Sequence, residues 1–184
     1  MKNILKYMRA TKELFLVYGG NPDHELKVTG YCDAGFQTDR DDNKSQSGYV
    51  FILNGGAVDW KSKKQSTVVM SATESEYIAA SDAAMEAVWI RKFISGLDVM
   101  SSNNTPMDLY CDNSGAIVIA NEPGVQKGAR HYQRRYHYVR EQIESREINL
   151  LKVHTDDNLA DPFTKALSKG KLNKHAEGLG LRYC

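Results

Sequence analysis

Two carboxylates in this chain follow the same dipeptide. In "VTGYCDAGF" (28–36) and in "MDLYCDNSG" (107–115), an extended and largely apolar run reaches an aspartate directly after Tyr-Cys. Alternation along a strand puts Asp33 on the face of Tyr31 and Thr29, with Cys32 opposite, and Asp112 follows Leu109, Tyr110 and Cys111 in the same way. If the two runs are neighbours in one sheet, Asp33 and Asp112 converge at the strand ends. Two uncompensated negative charges are costly there unless a cation or a proton sits between them. A plainer reading stays open: each aspartate starts a turn or caps a helix, as aspartate often does.

A third acid comes from "SATESEY". With Ser71 as N-cap, Glu74 takes the fourth place of an S-x-x-E capping box, which is a sufficient structural reason for it. Glu76 has no such role. Helical spacing from Glu76 runs through Ala80, Ala83, Ala87, Ile90 and Ile94, a stripe of small and aliphatic residues suited to close packing on a sheet. Glu74 points about 200° around the axis from Glu76. Glu76 is therefore the acid that faces Asp33 and Asp112.

The elements that must position these groups can be read in order. Residues 2–10 form a short amphipathic helix that leads into "LFLVY", a strand closed by Gly19, Gly20 and Pro22. The strand into Asp33 connects through the polar "QTDRDDNKSQS" to "GYVFILNG", whose Asn-Gly-Gly signals a hairpin, and "GAVDWKSKK" returns. These make three consecutive antiparallel strands. A long helix follows from Ser71, with Gly96 at its C-cap. Then come the strand into Asp112, the short helix "SGAIVIAN", and a helix in "RHYQRRYHYVREQIESR" with Tyr132, Tyr136, Val139 and Ile143 as its core stripe. The strand "EINLLKVHT" and a last helix within 157–168 complete a mixed-sheet α/β domain.

A chain of 184 residues with 41% hydrophobic content suits one domain with a real core. No apolar run approaches the roughly 18 residues of a membrane span, and the N-terminus has no signal-peptide pattern, so a soluble intracellular protein is expected. Cys32, Cys111 and Cys184 have no metal-ligand spacing, and the first two read as buried thiols inside strands. The net charge of +1 hides local asymmetry. Lys61, Lys63 and Lys64 cluster in "WKSKKQ", and Lys127, Arg130, His131, Arg134, Arg135, His137 and Arg140 crowd a later stretch, while acids gather in "TDRDD" and "HTDDNLAD". A basic surface beside an acidic pocket suits a polyanion whose reaction needs cations, and solvated helix and turn surfaces account for the charge equally well.

Taken in order, "YCDAG", the hairpin, "SATESEYIAA", "LYCDNSGAI" and "VHTDDNLADPFTKAL" resemble the ribonuclease H domain of plant copia-type long-terminal-repeat retrotransposon polyproteins. The resemblance covers essentially the whole chain. It implies a ribonuclease H-like α/β fold: a mixed five-stranded sheet, three antiparallel strands then parallel ones, flanked by helices. It also implies a leader over 1–25 as the tail of the reverse transcriptase region, a ribonuclease H domain over 26–170 and a C-terminal tail over 171–184.

By the same resemblance Asp33, Glu76, Asp112 and Asp161 are the catalytic and metal-binding acids, and His154 matches a histidine on the loop before the last helix. Asp161 also has a structural reading, as the N-cap ahead of Pro162. Such a cluster suits two Mg²⁺ or Mn²⁺ ions, with Asp33 as the shared ligand. The expected reaction is hydrolysis of the RNA strand of an RNA–DNA hybrid, with Lys61, Lys63, Lys64, Arg130 and Arg134 tracking phosphates and the reverse transcriptase region as a partner. Two other readings are a catalytically silent hybrid-binding or scaffolding relic of this fold, and a DNA-directed nuclease of the same superfamily, which the order of motifs fits less well.

Overall fold

The computed structural model describes residues 2–19, 27–39, 41–97, 105–122 and 133–183, without the side chains of Gln133, Arg134 and Tyr136. Its elements in chain order are α1 (Lys2–Thr11), β1 (Leu14–Leu16), β2 (Val28–Gly35), β3 (Gln46–Leu53), β4 (Gly56–Lys64), α2 (Ala72–Leu97), β5 (Met107–Cys111), α3 (Ser114–Asn121), α4 (Gln133–Glu144), β6 (Ile148–Lys152), α5 (Lys169–Gly178) and β7 (Leu181–Tyr183). Two short 3-10 turns, Thr155–Asp157 and Asp161–Phe163, lie between β6 and α5.

The main sheet has five strands in the order β4-β3-β2-β5-β6. The first three are antiparallel, and their tight β3–β4 turn places Asn54 (φ 51°) and Gly55 (φ 80°) in the left-handed region, as a two-residue hairpin turn requires. β5 runs parallel to β2, and β6 parallel to β5. This is the mixed sheet that the sequence implies.

α2 crosses one face. Ala79, Ala80, Ala83, Ala84 and Ala87 are fully buried along it, so the helix backbone approaches the strands closely and seals a core with Cys32, Phe51, Leu109, Cys111, Val139 and Ile148. The helix runs through Gly96 to Leu97 instead of stopping at a glycine cap. In α4, Val139 is buried and Ile143 packs partly against the same core, as their spacing predicts, and Tyr138 joins them. Tyr132 lies outside the described residues, as does the side chain of Tyr136.

On the opposite face Val50, Ala57 and Leu179 form a smaller core with Tyr31, Leu159 and Phe163 around it. Here the structure corrects the expectation of a helix within 157–168: the segment makes two 3-10 turns, and the helix comes later, at α5. Pro162 has no N–H with which to continue a helix begun near 157, so Asp-Pro at 161–162 opens a new short turn instead. Near the chain ends, β1 pairs antiparallel with β7 in a separate two-stranded sheet.

Candidate active site

Asp33 lies inside β2, two residues before the strand ends at Gly35, and is 1% exposed. It starts no turn and caps no helix. The parallel register pairs Cys32 with Cys111, so Asp33 and Asp112 each follow one member of a matched pair and emerge side by side. Asp112 is also spared a capping role, because the Asn113 side chain accepts from the Ala116 N–H at 2.9 Å and caps α3 itself.

Glu76 reaches the same place from the first turns of α2. Ser71 Oγ accepts from the Glu74 N–H at 3.1 Å, and the Glu74 carboxylate accepts from the Met70 N–H at 3.0 Å. Glu74 is thus engaged at the helix start, and Glu76 turns inward beside the sheet. Buried Gln65 anchors this end of the helix, donating at 2.9 Å to both Ser47 Oγ and the Ser75 carbonyl.

Asp161 arrives from the irregular segment after β6. Buried Asn158 donates to the Cys32 carbonyl at 2.9 Å and accepts from the Ala160 N–H at 3.1 Å, which ties the segment to β2. Thr164 Oγ1 hydrogen-bonds to Asp33 Oδ2 and also lies 3.1 Å from the Asp161 carbonyl. Glycines on two strands make room for this: a Cβ at Gly48 would come within 2.8 Å of Phe163 Cβ, and one at Gly35 within 2.6 Å of the Thr164 carbonyl oxygen. The Asp161 side chain does not cap its own turn, whose N-cap is Ala160 with no side-chain bond. It points instead toward Asp33.

Carboxylate oxygens of Asp33, Asp112 and Asp161 lie within 4.8 Å of one another, and so do ligand atoms of Glu76, Cys111 and Asp112. Asp112 belongs to both groups. Two buried oxygens in the centre, Glu76 Oε2 and Asp161 Oδ1, have no hydrogen-bond donor. Burial pushes the Glu76 carboxyl up to about 10, with Asp33, Cys111 and Asp112 adding to the effect. Burial likewise raises Asp33 to about 6, against the downward pull of the Thr164 hydrogen bond and the Lys165 ammonium.

The donor set fits a divalent metal ion. Carboxylate oxygens are hard ligands of the kind that Mg²⁺ and Mn²⁺ prefer, and a cation is what the donorless oxygens and crowded charges lack. Among the described residues, the cation that pairs with these carboxylates is Lys165. Its Nζ stands 2.9 Å from Asp161 Oδ1 and 3.8 Å from Asp33 Oδ2. The closer contact is an ion pair, so Asp161 Oδ1, which accepts no hydrogen bond, already has a positive charge beside it.

Of the other residues singled out in the sequence, His154 is in neither ligand group. His154 is exposed, its Nδ1 accepts from the Asp156 N–H at 3.2 Å, and it caps the first 3-10 turn. Lys61, Lys63 and Lys64 stand exposed on β4, with Lys64 bridging Asp39 at 2.6 Å and Asp42 at 2.9 Å. Arg130 and the Arg134 side chain lie outside the described residues. Arg135 faces Asp82 of α2 at 3.8 Å. Sequence reasoning missed Asn158, Thr164 and Lys165. The i, i+4 spacing of Asp161 and Lys165 was the signal available for the last.

No protein-family model matches the chain. Among curated proteins it is 36% identical, over 98% of its length, to the retrovirus-related Pol polyprotein from transposon TNT 1-94 of Nicotiana tabacum. It is 33% identical over 98% of its length to that from transposon RE2 of Arabidopsis thaliana. It belongs to the retrovirus-related transposon Pol family, as the part with the ribonuclease H fold. The fold is also that of LC11-RNase H1, solved in complex with an RNA/DNA hybrid, with a TM-score of 0.54 over 75% of this chain and 94% of that one at 14% identity. The chain spans 13% of the tobacco Pol polyprotein and 12% of the Arabidopsis one. Among the described residues, no helix of this Pol-family domain is long and apolar enough to cross a membrane.

Proposed function

We propose that this domain is a metal-dependent endonuclease that hydrolyses the RNA strand of RNA–DNA hybrids during reverse transcription, leaving 5′-phosphate and 3′-hydroxyl ends. The observation that carries the reading is the convergence of Asp33, Glu76, Asp112 and Asp161 from two strand ends, one helix and one turn, with two buried oxygens lacking a donor. These four acids would hold Mg²⁺ or Mn²⁺, as a pair of ions. Bound there, such ions supply an activated water and stabilise the leaving oxygen of a phosphodiester.

The chain's own groups do the positioning. Thr164 orients the Asp33 carboxylate and Asn158 holds the turn that presents Asp161. Lys61 and Lys63, on the exposed edge strand β4, are proposed to track hybrid phosphates, with Arg130 and Arg134 in the same role and Lys64 weaker because Asp39 and Asp42 engage it. His154 is proposed to act late, in proton transfer or product release, since it stands outside the cluster. The nuclease unit is taken as residues 26–170, with 1–25 as the end of a reverse transcriptase region that is its partner in the polyprotein and 171–184 as a tail carrying the end of α5 and β7. The Pol names of its relatives and the hybrid bound by LC11-RNase H1 support this reading.

The test is incubation with a labelled RNA–DNA hybrid beside matched RNA and DNA duplexes, with Mg²⁺, with Mn²⁺ and with EDTA. Cleavage confined to the hybrid and to the metal-containing samples is expected. Hybrid binding without cleavage under every metal condition would favour the silent relic instead.

A further inference from the structure

Three carboxylates gathered at the end of a sheet call for a cation or for protons when no metal is bound, and this chain brings a cation of its own. The Asp161 carbonyl accepts from the Thr164 N–H at 3.1 Å and the Lys165 N–H at 3.2 Å, so the backbone itself sets Lys165 one turn from Asp161. The side chain then lies over the carboxylates, 2.9 Å from Asp161 and 3.8 Å from Asp33. Among the described residues, every ion pair of Asp33 and Asp161 is with Lys165. Lys152, the other ammonium near the centre, bonds to the Asp112 backbone carbonyl instead of a carboxylate. The Lys165 side chain is 37% exposed and so has a way out to solvent, while the Asp161 and Asp33 side chains, at 4% and 1%, do not.

We propose that Lys165 is the resident counter-cation of the carboxylate centre, neutralising Asp33 and Asp161 in the metal-free domain and swinging out when a divalent ion takes the same oxygens. This rests on the metal-binding reading above and goes beyond it, because it makes Lys165 a positioning residue that sets how tightly the centre holds metal. The two cations compete: any free energy by which the ammonium favours the metal-free state is lost on loading, so it weakens metal binding by the same amount. Removing the ammonium therefore has opposite effects on the two states. The metal-free domain loses a partner for its buried acids, and the loaded domain loses a competitor.

Isothermal titration with Mn²⁺ at fixed ionic strength, together with thermal unfolding in EDTA and in saturating Mn²⁺, tests this without reference to cleavage. Lys165→Met is expected to bind Mn²⁺ roughly tenfold more tightly than the unaltered protein, as fits removal of a partly solvated charge a few ångströms away. In EDTA it should melt earlier, and in Mn²⁺ the difference should shrink or reverse. Lys165→Arg keeps the charge and should stay near the original affinity, an outcome that separates loss of charge from loss of packing. If the Met variant does not fold in EDTA, Lys165→Gln, whose amide still donates to a carboxylate, carries the same comparison. A folded Met or Gln variant that binds Mn²⁺ no more tightly than the unaltered protein overturns the role of Lys165 and leaves the metal centre standing. An unaltered protein that binds no divalent ion overturns both.

Discussion

Two acids reach the same centre by contrasting routes. Glu76 rides a 26-residue helix pressed onto the sheet by a row of buried alanines. Asp161 rides a segment of two three-residue 3-10 turns, held by Asn158, by Thr164 and by the space that Gly35 and Gly48 leave. Apolar packing over many residues determines the first position several times over. A few buried hydrogen bonds determine the second. The centre therefore has a rigid side and a side whose placement hangs on individual polar atoms.

The largest effect is expected where both routes meet. Asp33→Asn should reduce hybrid cleavage to background while the metal-free fold stays at least as stable, because the amide removes a charge that burial opposes. Cleavage assays in Mg²⁺ beside melting in EDTA check both halves. Near-normal cleavage by a folded variant would remove Asp33 from the centre.

The contrast sharpens with Asn158→Leu, which leaves the Cys32 carbonyl without its side-chain donor in a buried site. A loss of about 2 kcal/mol in stability is expected, along with weakened Mn²⁺ binding as Asp161 drifts. Denaturant melts and metal titration measure the pair. Loss of stability with intact metal affinity would show that the turn holds Asp161 without Asn158.

A pH-dependent effect also follows from the raised carboxyls. In the fold Asp33 keeps its proton to about 6 and Glu76 to about 10, whereas the unfolded chain releases both near ordinary carboxylate values. The folded state binds more protons across that window, so metal-free stability should be greatest below the ordinary carboxylate range. It should fall as pH rises through about 6 and on toward 10. Saturating Mg²⁺ should blunt or reverse the slope, since it favours the charged forms. Melting temperatures across pH, with EDTA and with Mg²⁺, decide the sign.

The smallest effect belongs to the outward glutamate. Glu74→Gln should cost at most about 1 kcal/mol and leave turnover near normal, because it alters only the helix start. If Glu74→Gln and not Glu76→Gln proves inactive, the assignment of the inward face is reversed.

The same contrast explains what was legible in the sequence. The phase of α2, the Asn-Gly turn and the paired Tyr-Cys-Asp strands all rest on local periodicity or turn chemistry, and each can be counted along the chain. The path of residues 155–165 cannot. Its turns take shape from hydrogen bonds to β2 across 126 and 131 residues of chain, and from side chains missing on two distant strands. The motif resemblance singled out Asp161 but not Asn158, Thr164 or Lys165, whose roles depend on that placement. β7 escaped for a related reason, since a three-residue strand paired with β1 has too little pattern of its own.

That short pairing has a mechanical consequence. In the β1–β7 ladder Leu14 is matched with Tyr183 and Leu16 with Leu181, so the flanking chain on both sides leaves from the same end. A pull on both flanks loads the ladder in the unzipping direction, breaking its hydrogen bonds one after another from the Leu14–Tyr183 end. The five-stranded sheet that carries the acids is not in the line of force until that clasp has opened.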